Sequence, residues 1–296
     1  MRPELALLGV TLLWGASFTV IKGALDVVPP HLLVALRFGS AALILTLWSP
    51  RTVLRPAPGA VRASLLLGVL LWGGYAFQTW GLTFTTPSRS AFITSTAVLL
   101  VPVVAFVAIR VRPTRGVGIG VLLATGGLWL LTQPGSGGFG RGESLTAFCA
   151  VSYAAHIVAL GHLAPRFRSL PLATLQLWVV AACAGAAAFA LERPTLALPL
   201  RAWLAIAFLG VFCSAVAVLV QTWAQRRIPA TRAALFFALE PVFAAAIAAL
   251  VLGERLSVAE LSGGALVVVG VISAERFDRG EIGKMPENKH FPGHVG

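Results

Sequence analysis

From Leu5 onward the chain alternates apolar runs of roughly twenty residues with short connections that hold Pro, Gly or Arg. At a rise of about 1.5 Å per residue such a run crosses the roughly 30 Å hydrocarbon core of a bilayer. Unbroken runs select helices, because the strand of a membrane barrel would alternate apolar and polar residues. The pattern predicts ten spans. The first five are Leu5 to Leu25, His31 to Trp48, Ala63 to Phe84, Ser90 to Ile109 and Gly116 to Thr132. The second five are Leu145 to Leu163, Leu172 to Leu191, Trp203 to Trp223, Thr231 to Leu252 and Ser257 to Ala274. The Gly-rich stretch around 135–143 reads as a linker between a half at 1–134 and a half at 144–276, and the polar stretch 277–296, with Pro286 and Pro292, as a disordered tail. The first run follows Arg2, as in a signal peptide, yet nine similar runs follow and no small-residue cleavage site does, so it reads as a permanent span.

The halves repeat one another. Gly68 matches Gly210, and Gln78-Thr79-Trp80 matches Gln221-Thr222-Trp223 after a one-residue shift. Pro102 matches Pro241, and Arg112, Gly120 and Gly127 match Arg255, Gly263 and Gly270. Five spans is an odd number, so two copies run in opposite directions through the membrane. The expected fold is therefore all-α, a polytopic membrane protein of ten transmembrane helices in two inverted five-helix repeats. Such symmetry is a recurring basis for alternating access, with a midplane site beside discontinuous helices. Pro102 and Pro241 are the expected helix breaks.

The ninth run carries one charge, Glu240, next to Pro241. A carboxylate near the midplane costs about 2.5–3.5 kcal/mol on insertion scales, so Glu240 is expected to face a wet cavity or a partner. Pro241 has no N–H, which frees the carbonyl of Phe237. Ser257 and Glu260 have capping-box spacing ahead of the last apolar run. Residues 239–272, LEPVFAAAIAALVLGERLSVAELSGGALVVVGVI, resemble the last helix pair of the EamA branch of the drug/metabolite transporter superfamily, and the likeness extends more weakly over residues 5–276. That resemblance implies ten helices in two inverted halves that carry small metabolites, often outward.

Composition supports a membrane protein: 57% of residues are hydrophobic and 11% charged, too much apolar surface for a water-soluble fold. A formal charge of +12 raises the question of nucleic acid, and the arrangement of the charges answers it. With the N-terminus inside, sixteen Lys and Arg fall on the cytoplasmic side and six opposite, which is the positive-inside pattern. The expected location is the cell membrane with both termini cytoplasmic; the expected partners are the bilayer and a small-molecule substrate, with no nucleic acid. Cys149, Cys183 and Cys213 lie in separate runs without CxxC spacing and read as apolar packing. No metal or cofactor is expected.

Polar residues three or four apart share a helix face. Span three offers Trp72, Tyr75 and Gln78; span eight, Ser214 and Gln221; span one, Trp14 and Ser17; span six, Ser152, Tyr153 and His156; span four, Thr94 and Ser95. If these faces converge they make an aromatic cavity with a few hydrogen-bonding groups, suited to an amphipathic solute. The plainer reading is that such groups bond neighbouring helices, each for about 0.6 kcal/mol, while Trp and Tyr form interfacial belts. Glu240 either clamps two helices or binds a cationic amine or a proton. Arg37, inside span two, either snorkels to the outer surface or pairs with a carboxylate. His156 is a proton relay or a helix-to-helix contact, and Lys22 reads as interfacial. The glycine stripes of spans five and ten suit close helix packing and offer a face for a homodimer. The function these features favour is a secondary transporter, an exporter by resemblance, of an amino acid, related metabolite or amphipathic drug-like compound. A channel or receptor-like protein is the alternative. A membrane-embedded enzyme fits less well, because the chain has no HExxH, GxSxG or paired intramembrane aspartates.

Overall fold

A computed structural model describes residues 2–132, 140–252 and 257–282, and within them every regular element is helical. In chain order the helices are α1 (Pro3–Ala24), α2 (Pro30–Trp48), α3 (Pro50–Leu54), α4 (Ala60–Gly81), α5 (Pro87–Ser95), α6 (Ala97–Ile109) and α7 (Arg115–Thr132). They continue with α8 (Arg141–Leu163), α9 (Ser169–Leu191), α10 (Leu200–Gly210), α11 (Ala217–Gln225), α12 (Ala230–Phe237), α13 (Glu240–Leu252) and α14 (Val258–Ile282). Prolines open α1, α2, α3 and α5, where a missing N–H has no helical acceptor to lose. Ser257 and Glu260 close a capping box at the head of α14: Glu260 Oε2 accepts from Ser257 N at 2.7 Å, and Ser257 Oγ accepts from Glu260 N at 3.2 Å.

Among the described residues eight helical segments are long and apolar enough to cross a bilayer, and Arg115–Leu131 and Val258–Ala274 are two shorter apolar ones. The chain is inside out relative to a water-soluble protein. Leu47, Leu122 and Phe189 are more than 70% exposed, whereas Arg37, Gln176 and Gln221 are at most 2% exposed. Apolar rims facing outward are favourable only where the surroundings are lipid tails, and polar groups then gather inside.

The principal pairings are α7 with α14, α2 with α9, α4 with both α8 and α9, α6 with α8, and α1 with α13 and α11; α2 also meets α10. Glycines set several of these approaches. A Cβ on Gly127 would fall 2.6 Å from Gly263 O, and one on Gly270 would fall 2.8 Å from Gly120 O, so the stripes of α7 and α14 face each other backbone to backbone. The stripes considered for a homodimer face are thus packed on each other within the chain. In the same way Gly68 on α4 abuts Gln176 O of α9, and its repeat partner Gly210 on α10 abuts Arg37 O of α2.

One further difference from expectation concerns a helix end. The tail does not begin at 277, because α14 continues to Ile282; a helix can outlast its apolar run until Pro or a turn stops it, and the first later proline is Pro286. The linker at 135–143 is described only from Gly140 on, and residues 283–296 and the turn at 253–256 lie outside the described residues.

Candidate functional site

The site is built around interruptions in three apolar segments. In the ninth run α12 stops at Phe237, Ala238 and Leu239 form a turn, and α13 starts at Glu240. Pro241 thus occupies the first turn of α13, where it needs no hydrogen-bond partner. Leu239 N closes a tight turn on Phe236 O at 3.1 Å, and Thr11 Oγ1 of α1, bonded to Leu7 O at 2.8 Å, also leans on Phe236 O at 3.4 Å. Gly15 lets α1 reach this break, since a Cβ there would lie 2.9 Å from Glu240 O and 3.0 Å from Ala244 N.

In the fourth run the interruption falls at Thr96, between α5 and α6, and Pro102 lies inside continuous α6. The expected break at Pro102 is therefore displaced. Thr96 is better suited to it, because its hydroxyl bonds Ile93 O at 2.5 Å and competes with the helical ladder.

In the eighth run residues Val211–Val216 form a π turn between α10 and α11. A π turn spans one residue more than an α turn. The repeat register changes by one residue between Gly210 and Gln221, and the π turn is where the extra residue is absorbed. It also presents the Cys213 carbonyl to two donors, Trp14 Nε1 at 3.0 Å and an Arg37 terminal nitrogen at 3.0 Å. Arg37 Nε donates to Ser214 Oγ at 2.6 Å.

Around these interruptions lies one cavity of about 60 Å³ with walls from both halves of the chain. Trp14, Ser17, Tyr75, Gln78, Ser95, Tyr153, His156, Gln221 and Glu240 all line it, with Thr94 and apolar residues such as Phe237 and Val98. Nine of the ten side chains proposed from sequence for this site are thus brought together. Arg37 is the exception. It is 2% exposed, reaches no outer surface, pairs with no carboxylate among the described residues, and stands behind Tyr75 with its guanidinium carbon 4.7 Å from the ring centre. The π turn contributes to this placement, because the Cys213 carbonyl within it accepts from Arg37, beside the Ser214 hydroxyl. Trp72 and Ser152 are also outside the lining, and Ser214 is engaged by Arg37.

The walls are aromatic. Tyr75 meets Phe38 at 4.6 Å and Tyr153 at 5.3 Å between ring centres, and Trp14 meets Phe237 at 5.3 Å. The Tyr153 ring abuts Gly74, where any Cβ would strike it.

The polar lining is divided by what is already satisfied. Gln78 Nε2 donates to Thr94 Oγ1 at 3.1 Å, and Gln78 Oε1 accepts from the Tyr153 hydroxyl at 3.4 Å. His156 Nε2 lies 3.0 Å from Gln176 Oε1, and Gln176 Nε2 donates in turn to Thr222 Oγ1 at 3.2 Å. His156 thus makes a helix-to-helix contact while its ring borders the cavity. Gln221 Nε2 donates to Gln225 Oε1 at 3.0 Å, but Gln221 Oε1 and Ser95 Oγ have no partner among the described residues. The Glu240 carboxylate has no hydrogen-bond or ionic partner among the described residues, and the helix clamp considered for it is not formed there. Gln221 Oε1, the Glu240 carboxylate and the Ser95 hydroxyl are left over on the wall among the described residues.

Sequence reading missed Gln176, Gln225 and Phe237. Gln225 lies four residues after Gln221 and Phe237 three before Glu240, so the same-face rule would have found both, whereas Gln176 stands alone in its run. It also missed a cluster beyond one end of the cavity, where Glu143 accepts from Thr85 Oγ1 at 2.6 Å and Gly140 N at 3.0 Å and stands 3.3 Å from Arg89. Lys22 joins it as a donor to Leu82 O at 2.6 Å, a more specific role than an interfacial anchor. No three His, Cys, Asp or Glu side chains converge among the described residues, and all three cysteines are free.

A helical fold with eight segments long and apolar enough to cross a bilayer and a small polar cavity among them is that of a multi-pass membrane protein. The profile of the EamA-like transporter family matches residues 1–133 and 140–274, and the chain belongs to that family. It is 32% identical over 278 residues to an uncharacterized transporter of Archaeoglobus fulgidus, covering 92% of this chain and 85% of that one. It is 28% identical to the uncharacterized transporter YyaM of Bacillus subtilis, covering 90% and 92% respectively. A crystal structure described simply as that of a protein superposes with a TM-score of 0.77 at 21% identity, covering 94% of this chain and 98% of that one, and shows the same fold.

Proposed function

We propose that this membrane transporter is a secondary carrier of ten spans in two inverted halves. It moves a small organic solute bearing a cationic amine, such as an amino acid, related metabolite or amphipathic drug-like compound, by alternating access. The carrying observation is the cavity itself: both halves wall it, Glu240 borders it, and the unpaired polar atoms left on its lining are acceptors or a hydroxyl. A ligand that satisfies such a wall must donate hydrogen bonds, and the Trp14, Tyr75, Tyr153 and Phe237 rings suit a cation with an apolar body.

Support for the inverted repeat comes from the pairing of helices. Exchanging each helix for its counterpart in the other half turns the α4–α9 contact into α10–α2, and the α6–α8 contact into α13–α1, all of which are present. Gly68 against α9 and Gly210 against α2 obey the same exchange. A cavity of about 60 Å³ holds on the order of four waters, well below the 300–1,000 Å³ of a typical ligand pocket, so this conformation is closed around a small group and loading requires the halves to move. Outward transport in the cell membrane, with cytoplasmic termini, rests on the family resemblance and on the basic loops.

The test is a panel of solutes, each paired with its N-acetylated form, screened for thermal stabilisation of the purified protein and then for counterflow in liposomes with and without a pH gradient. Amines are expected to stabilise and exchange, and their acetylated forms to do neither. Flux without counterflow would assign the protein to channels, and chemical turnover of a labelled solute would make it an enzyme.

A further inference from the structure

A second concavity lies on the outer surface where α1, the broken helix α12–α13 and α14 meet, with a volume of about 540 Å³. Its walls are apolar, with Leu8, Leu239, Phe243 and Val268 among them, and its two charged side chains, Glu4 and Arg276, come from the start of α1 and the far end of α14. Glu4 is neutralised by Arg232 at 3.4 Å, whereas Arg276 pairs with no carboxylate among the described residues. Among the described residues the lining therefore keeps one unpaired positive charge at one end of a greasy slot. From Arg276 to Val268 the slot runs about 12 Å along α14, close to the roughly 15 Å depth of one leaflet's hydrocarbon.

We propose that this groove binds one acyl chain of an anionic phospholipid, with the lipid phosphate on Arg276. The end with the arginine is the end that the positive-inside pattern assigns to the cytoplasm, where anionic headgroups gather and where basic pockets between membrane helices hold them. The slot backs onto the break in the ninth run: Leu239 walls the groove, while its neighbours Ala238 and Glu240 wall the central cavity. A seated lipid chain thus packs against the turn whose other face forms the solute site.

Native mass spectrometry of the detergent-purified full chain, titrated with equal amounts of dioleoylphosphatidylglycerol and dioleoylphosphatidylcholine, tests this. Wild type is expected to retain phosphatidylglycerol about five-fold better, the preference one basic residue gives at an anionic surface. Arg276→Gln should bind both lipids equally, and Val268→Trp, which fills the slot, should retain less of either. Inorganic phosphate alone should not compete. An unchanged lipid ratio in Arg276→Gln, or undiminished retention in Val268→Trp, overturns the assignment. So does a dimer in wild type that Val268→Trp dissociates, since a second copy would then be the occupant.

Discussion

Replacing Glu240 by Gln keeps the size of the side chain and removes its charge, so it separates recognition of a cation from the shape of the site. In the structure the carboxylate has no hydrogen-bond or ionic partner among the described residues and borders a cavity of about 60 Å³, so an entering ammonium would be its first fixed partner. Coulomb attraction at 4 Å with an effective dielectric of 20 sets a ceiling of about 4 kcal/mol. Exchange of water contacts lowers the net value of one charge-assisted hydrogen bond to about 1.5–3 kcal/mol. Glu240→Gln should therefore weaken binding of an amine solute by about 10- to 100-fold, with a change of less than about two-fold for its N-acetylated counterpart. Competition binding on purified protein measures both, counterflow in liposomes measures transport, and a thermal melt confirms that the variant is folded. If the amine and its acetylated form lose affinity equally, or neither does, Glu240 does not read charge and the proposed solute class fails.

Other consequences follow from the same geometry. Ser214→Ala leaves the buried Arg37 N–H without its acceptor at 2.6 Å and should cost about 2 kcal/mol, more than Arg37→Met, which removes donor and charge together; a melting series that ranks them the other way contradicts the role given to the π turn. Gly127→Ala places a Cβ 2.6 Å from the Gly263 carbonyl and should destabilise by about 1–3 kcal/mol, whereas Gly126→Ala meets only Leu266 Cδ2 at 3.5 Å and should be neutral or stabilising, as thermal melts of the two would show. Glu192→Ala removes the carboxylate that accepts from His31 N at 2.8 Å and Leu32 N at 3.0 Å at the head of α2, and should cost about 1–2 kcal/mol with faster hydrogen exchange confined to that turn.

Much of the site was legible because membrane sequences are read against a uniformly apolar background, in which a Gln, Tyr or Glu stands out and helical spacing assigns it a face. Tyr75 with Gln78, and Trp14 with Ser17, were found in this way, and the cavity brings them together. Arg37 was legible as unusual but not as to its partners, because these are a hydroxyl and a backbone carbonyl of span eight, 177 and 176 residues away, within its π turn. Pro102 shows the converse. A proline announces a lost hydrogen bond without fixing where the helix yields, and here the yielding residue is Thr96, six positions earlier.

Apolar run length was enough, before any coordinates, to specify membrane helices, since it depends on local composition measured against the thickness and polarity of a bilayer, while the repeat and the asymmetry of charge set the expectations of ten spans and of cytoplasmic termini. Which glycines meet, where a single inserted residue is absorbed, and which polar atoms end without a partner depend on contacts between segments more than a hundred residues apart. Those were settled only by the packed chain, because a hydrogen-bond donor in an apolar run declares a need, and the neighbouring helices decide whether it is met.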